Sequence, residues 1–86
     1  MADLFKVISD QSRREILALL KNGRMSAGDI YSHFEMTSAT VSHHLSLLKE
    51  SDLVRTEKVG KFILYELNCS VLDELLLWIL SLKEGK

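Results

Sequence analysis

The chain is 86 residues long, enough for one domain but near the low end of the size at which a single core is self-sufficient. Its one cysteine, Cys69, excludes an internal disulfide and a thiolate zinc site of its own, and its longest apolar run, Leu75 to Leu80, is far short of the ~20 residues that span a bilayer. Eleven Lys and Arg against twelve Asp and Glu give a net charge of −1, so the overall basic balance of most nucleic-acid binders is absent and the distribution of charge becomes the informative quantity.

The sequence has no leader-like succession, proline, low-complexity tract or internal repeat, so a soluble, cytoplasmic, single domain over residues 1–86 is expected. Leu4, Phe5, Val7 and Ile8 form a short helical stripe. Asp10 then stands as cap to a helix predicted from about Gln11 to Lys21, with Ile16, Leu17, Leu19 and Leu20 inward and Asn22-Gly23 as its exit. Ser26, followed three residues later by Asp29, resembles a capping box and opens a short helix, Ala27 to Phe34, that carries Ile30, Tyr31 and Phe34 and stops near Glu35. Thr37 is the next cap. Val41, Leu45 and Leu48 recur at spacings of four and three and mark the buried stripe of a helix from about Ser38 to Glu50.

Two short helices joined so tightly, the second with small hydroxyl residues on its outer face, have the sequence form of a helix-turn-helix. The pattern then changes to strands. Leu53 to Glu57 and Phe62 to Asn68 flank Lys58-Val59-Gly60-Lys61 as a two-stranded wing would. Ser70, with Asp73 at the third helical position, starts a last helix in which Val71, Leu72, Leu75 to Leu80 and Leu82 are apolar on nearly every side. The expected fold is mainly α with a small β-hairpin, a winged helix-turn-helix of five helices and a two-stranded wing.

With Val41, Leu45 and Leu48 inward, Ser38, Ala39, Ser42, His43 and Ser46 lie on the opposite, exposed side of their helix. No acidic residue occurs from Met36 to Lys49 or from Lys58 to Tyr65. Hydroxyls and the His43 ring can donate to or accept from base edges and phosphates, and the helix N-terminus offers free N–H groups to a phosphate. Ser46 fits equally well as a solvated residue. His44, one step round the helix, turns toward the Val41 stripe and is expected at the core edge, packed and hydrogen-bonded, while His33 is expected in solvent. Lys58 and Lys61 bracket the hairpin tip, within reach of a flanking backbone or minor groove. Arg13 and Arg14 point in different directions, one expected to touch DNA backbone and the other to pair with an acid.

The words Ser9-Asp10-Gln11-Ser12-Arg13-Arg14-Glu15-Ile16-Leu17 and Thr40-Val41-Ser42-His43-His44-Leu45-Ser46-Leu47-Leu48-Lys49 resemble the ArsR-type family of bacterial winged-helix repressors, in particular its compact autorepressor branch. The resemblance continues through Leu53-Val54 and the Gly60-Lys61 tip and covers essentially the whole chain. It implies DNA contacts at Ser38, Thr40, Ser42 and His43, although many relatives carry glutamine where Ser38 stands, which alters the target sequence expected and not the mode of binding. Metal sensing in that family uses cysteines on the helix before the recognition helix, or histidines and carboxylates on the last. Here Ala27 to Phe34 has no cysteine, and the last helix has Asp73 and Glu74 but no histidine, so neither metal nor cofactor is implied. No phosphate-binding glycine loop or nucleophile-and-base arrangement suggests an enzyme.

Trp78, with Leu72, Leu75, Leu76, Ile79 and Leu82, offers more apolar area than one small core covers, and the resemblance implies that Leu4 and Phe5 of the first helix join it in a subunit interface. A two-fold dimer presents two recognition helices to successive major grooves, which calls for a roughly palindromic operator. The function expected is therefore a dimeric, sequence-specific repressor on double-stranded DNA, self-regulating as the resemblance to the autorepressor branch implies, with a protein inducer or sequestering partner as one means of release. The alternative is a winged-helix protein-interaction module without DNA binding. The acid-free face from Met36 to Lys49 discriminates, since DNA requires it and a protein partner does not.

Overall fold

Four short-range hydrogen bonds decide where the first four helices start. The carboxylates of Asp3 and Asp10 accept from the backbone N–H groups of Phe5 and Arg13, each at 3.0 Å, and the hydroxyls of Ser26 and Thr37 accept from those of Asp29 and Thr40, each at 3.2 Å. Each satisfies a donor that the helix itself leaves unpaired, a contribution of ~1 kcal/mol per cap. The computed structural model, which describes residues 3–84, places behind these caps α1 (Leu4–Ile8), α2 (Gln11–Leu19), α3 (Ala27–Tyr31) and α4 (Ser38–Glu50).

The helix ends depart from the sequence reading. Beyond α2 the chain tightens into a 3-10 turn, Leu20–Asn22, and leaves through Gly23 at φ 136°, a conformation that favours glycine. The third helix stops at Tyr31, and Phe34 lies beyond it, its N–H donating to the Tyr31 carbonyl at 3.1 Å. The last helix, α5 (Cys69–Glu84), starts ahead of Ser70 because the Asn68 carbonyl already accepts from Val71 and Leu72, each at 3.2 Å.

The wing is part of a three-stranded antiparallel sheet, not a lone hairpin. Strands β2 (Val54–Val59) and β3 (Phe62–Leu67) pair from Val54 opposite Leu67 to Val59 opposite Phe62, and β1 (Met25–Ser26) covers the other edge of β3 opposite Tyr65 and Leu64. Lys58 and Val59 are thus strand residues and the connection is Gly60-Lys61 alone, with Gly60 at φ 61° where a two-residue hairpin turn needs a positive angle. Pairing β1 satisfies backbone groups that a two-stranded wing would leave on an open edge.

Nine residues at 2% exposure or less form one core: Val7, Ile16, Leu20, Ile30, Val41, Leu45, Leu48, Leu53 and Val54. The predicted α4 stripe supplies three of them. Helix α5 supplies none. Its Val71 and Leu72 pack against the core, while most of the rest of its 16 residues are exposed.

Candidate nucleic-acid interface

Helix α4 is held at both borders of its exposed face. On one border, the Tyr31 hydroxyl of α3 lies 2.6 Å from the Ser42 hydroxyl. On the other, the Arg13 guanidinium of α2 donates to His44 Nδ1 at 3.1 Å, and because arginine cannot accept, His44 accepts through Nδ1 and carries its ring proton on Nε2. With the Val41, Leu45 and Leu48 stripe buried between these borders, the rotation of α4 about its axis is set. Ser38, Ala39, Thr40, His43 and Ser46 are left exposed.

Three of the four predicted reading residues, Ser38, Thr40 and His43, therefore stand in solvent, and the fourth, Ser42, is half-buried with one side of its hydroxyl already engaged. The Thr40 hydroxyl is 2.9 Å from that of the cap residue Thr37, which draws it toward the helix N-terminus. His44 occupies the core edge as expected. His33 is exposed, with Nδ1 donating to the Asp29 carbonyl at 2.9 Å.

The two arginines depart from expectation, since neither pairs with an acid among the described residues. Arg13 donates to the carbonyls of Val7 at 2.7 Å and Lys6 at 3.4 Å, and Arg14 donates to that of Ile8 at 2.8 Å. They cap the C-terminal end of α1, where unpaired carbonyls and the negative end of the helix dipole attract cations. Among the described residues the ion pair that does form is Arg24 with Glu57, reaching from the start of β1 across β3 to β2.

On the wing, Lys58 and Lys61 are both exposed, Lys58 opposite Ile63 in the ladder and Lys61 in the turn. The outer half of the wing is also apolar: Val59, Phe62 and Ile63 are each about half exposed, a feature that strand alternation alone did not reveal. At the base of β3, burial, and then the neighbouring Tyr31, raise the Tyr65 phenol above its ordinary value of 10.0. The two phenols, one from α3 and one from β3, thus lie close enough to interact.

The candidate dimer residues divide into two sets. Leu4 and Leu72 pack against the subunit's own core and Leu75 is half-buried, whereas Phe5, Leu76, Trp78, Ile79 and Leu82 are exposed. Phe5 and Trp78, each 50% exposed, meet edge to face with ring centres 5.2 Å apart and join α1 to α5. A cleft of about 310 Å³ between α2 and the turn after α3 is lined by Glu15, Ala18, Leu19, His33 and Phe34. Among the described residues no helix is long and apolar enough to cross a membrane, and no group of three His, Cys, Asp or Glu side chains is placed to hold a metal.

Comparison with known proteins agrees with this geometry. The profile of the "Bacterial regulatory protein, arsR family" matches residues 10–56, from the Asp10 cap into β2. The transcriptional repressor SdpR of Bacillus subtilis (strain 168) is 46% identical over 81 residues, which cover 94% of this chain and 90% of SdpR. The arsenical resistance operon repressor of Staphylococcus aureus is 40% identical over 76 residues, 88% of this chain and 73% of its own length. A crystal structure described as a "Possible transcriptional regulator for arsenical resistance" superposes with a TM-score of 0.84 at 29% identity, covering 95% of this chain and 85% of that one. Profile, relatives and superposition converge on one conclusion: the chain belongs to the arsR family of bacterial regulatory proteins and has its winged helix-turn-helix fold.

Proposed function

We propose that this chain is a transcriptional repressor that occupies a near-palindromic operator as a homodimer, with Ser38, Thr40, Ser42 and His43 of each subunit in the major groove and Lys58 and Lys61 on the flanking backbone. The observation that carries the reading is the exposed face of α4 from Ser38 to Lys49, polar, without an acid, and held in one rotation by contacts at both borders. A recognition helix needs all three properties, since an acid repels phosphate and a helix free to turn reads nothing. The relatives described above are regulators and not enzymes, and this favours a DNA-binding role over a protein-interaction module.

The homodimer part of the proposal rests on α5. A lone subunit leaves Leu76, Trp78, Ile79 and Leu82 at 42–60% exposure, next to Phe5. A contiguous patch of this kind on a small protein marks an interaction surface, and a two-fold contact buries it on both copies at once. Such a dimer works in the cytoplasm, where its DNA is, and a protein inducer or sequestering partner is one way to release it.

The test is a fluorescence-anisotropy titration against DNA from the gene's own upstream region and against scrambled DNA of equal length, at two salt concentrations. Tight, selective and salt-sensitive binding is the expected result. Absence of any complex even at low salt would overturn the proposal in favour of a protein-interaction module.

A further inference from the structure

The hydroxyls of Ser9, Ser32 and Ser51, at the C-terminal ends of α1, α3 and α4, and of Ser81 in α5 each donate to the backbone carbonyl three residues earlier, at 2.6–2.9 Å. The Ser42 oxygen, within α4, lies instead 2.6 Å from the Tyr31 hydroxyl, eleven residues away on another helix. A phenol is the stronger hydrogen-bond donor of the two, so the favoured arrangement has Tyr31 donating and Ser42 accepting. The serine proton is then directed away from Tyr31, at the border of the exposed face.

We propose that Tyr31 is a positioning and specificity-determining residue, which turns Ser42 from a hydroxyl able to donate or accept into a dedicated donor toward DNA. The partner it fits is an acceptor: guanine O6 or N7, adenine N7, thymine O4 or a phosphate oxygen, and not the cytosine amino group. Without the Tyr31 hydroxyl, the Ser42 proton is free to turn to a carbonyl of its own helix, the bond that helical serines can make. The inference rests on the operator-binding proposal and adds a residue outside the helix that enters the groove.

A double-mutant cycle tests it, with Tyr31→Phe, Ser42→Ala and the pair titrated against the operator, and with melting curves of all three. Tyr31→Phe keeps the ring and its packing and should weaken binding by about threefold to tenfold, the usual worth of one hydrogen bond. On the Ser42→Ala background the same change should have no further effect, because there is no hydroxyl left to orient. An equal loss on both backgrounds would assign Tyr31 a merely structural role and overturn the proposal, as would a Tyr31→Phe protein that binds like the parent. Failure of the parent protein to bind any DNA selectively is the separate outcome that overturns the operator reading, and this inference with it.

Discussion

Lys61→Ala offers the most quantitative test of the wing. Lys61 is the second residue of a two-residue turn, it is exposed, and it forms no ion pair among the described residues, in contrast to Arg24. Its ammonium is therefore free to neutralise a phosphate. Each phosphate neutralised on duplex DNA steepens the fall of log affinity with log salt by about 0.9, and a two-fold dimer brings two copies of Lys61, so the substitution should reduce the slope by about 1.8. Over a fourfold rise in salt the gap between parent and variant should then close about twelvefold. Anisotropy titrations at four salt concentrations measure this, on the operator and on scrambled DNA alike, because a phosphate contact carries no sequence information. Lys61→Arg keeps the charge and should keep the slope. An unchanged slope in Lys61→Ala, with the fold intact by melting, would refute the phosphate contact.

Three further outcomes are expected. His43→Ala should weaken specific binding by ~1–3 kcal/mol while leaving the salt slope as it was, and a uniform loss on operator and scrambled DNA would show that His43 is not reading bases. Trp78→Asp should give monomers or insoluble protein in sedimentation velocity, whereas a soluble dimer of parental DNA affinity would place the interface elsewhere. The backbone N–H of Arg13, donating to the Asp10 carboxylate, holds that carboxyl below its ordinary value of 3.8, so the stability it contributes is fully present above pH 3.8 and is lost as the pH falls through the lower folded-state value. Asp10→Asn keeps a capping oxygen but cannot ionise. The melting advantage of the parent over this variant at pH 7 should shrink in strong acid, and a gap constant with pH would show that the Asp10 charge contributes nothing.

How much of this was legible in the sequence follows the range of each interaction. The Asp10, Ser26 and Thr37 caps act over three residues, and the Val41, Leu45 and Leu48 stripe over two turns, so both could be read from spacing. Strand β1 could not, because two residues carry no alternation, and its pairing with β3 joins positions far apart in the chain. The clamps on α4 were hidden for the same reason: Tyr31 and Ser42 are eleven residues apart, and Arg13 and His44 thirty-one. The two arginines misled because charge counting looks for an acid. What satisfied them was the carbonyl end of a five-residue helix, which no composition records.

That short helix connects the two halves of the mechanism. Five residues are far too few to hold a helix by themselves, so α1 depends on what grips it. At one side Phe5 packs against Trp78 of α5, and at its C-terminal end the carbonyls of Lys6 and Val7 accept from Arg13. The same guanidinium reaches His44 on α4. A continuous set of contacts therefore runs from Trp78, in the proposed subunit interface, through α1 and Arg13 to the recognition helix. A displacement of α5 relative to the body would shift the support of α1, and with it the hydrogen bond that sets one border of α4. In a dimer on DNA the spacing of two such helices must match two half-sites, so a change at the interface alters reading as well as assembly. Arg13→Lys isolates this coupling, since a single ammonium cannot reproduce the planar guanidinium fork that serves α1 and His44 together. Its operator affinity should fall at concentrations where sedimentation still shows an intact dimer, and a variant that binds the operator like the parent would break the link argued from Arg13.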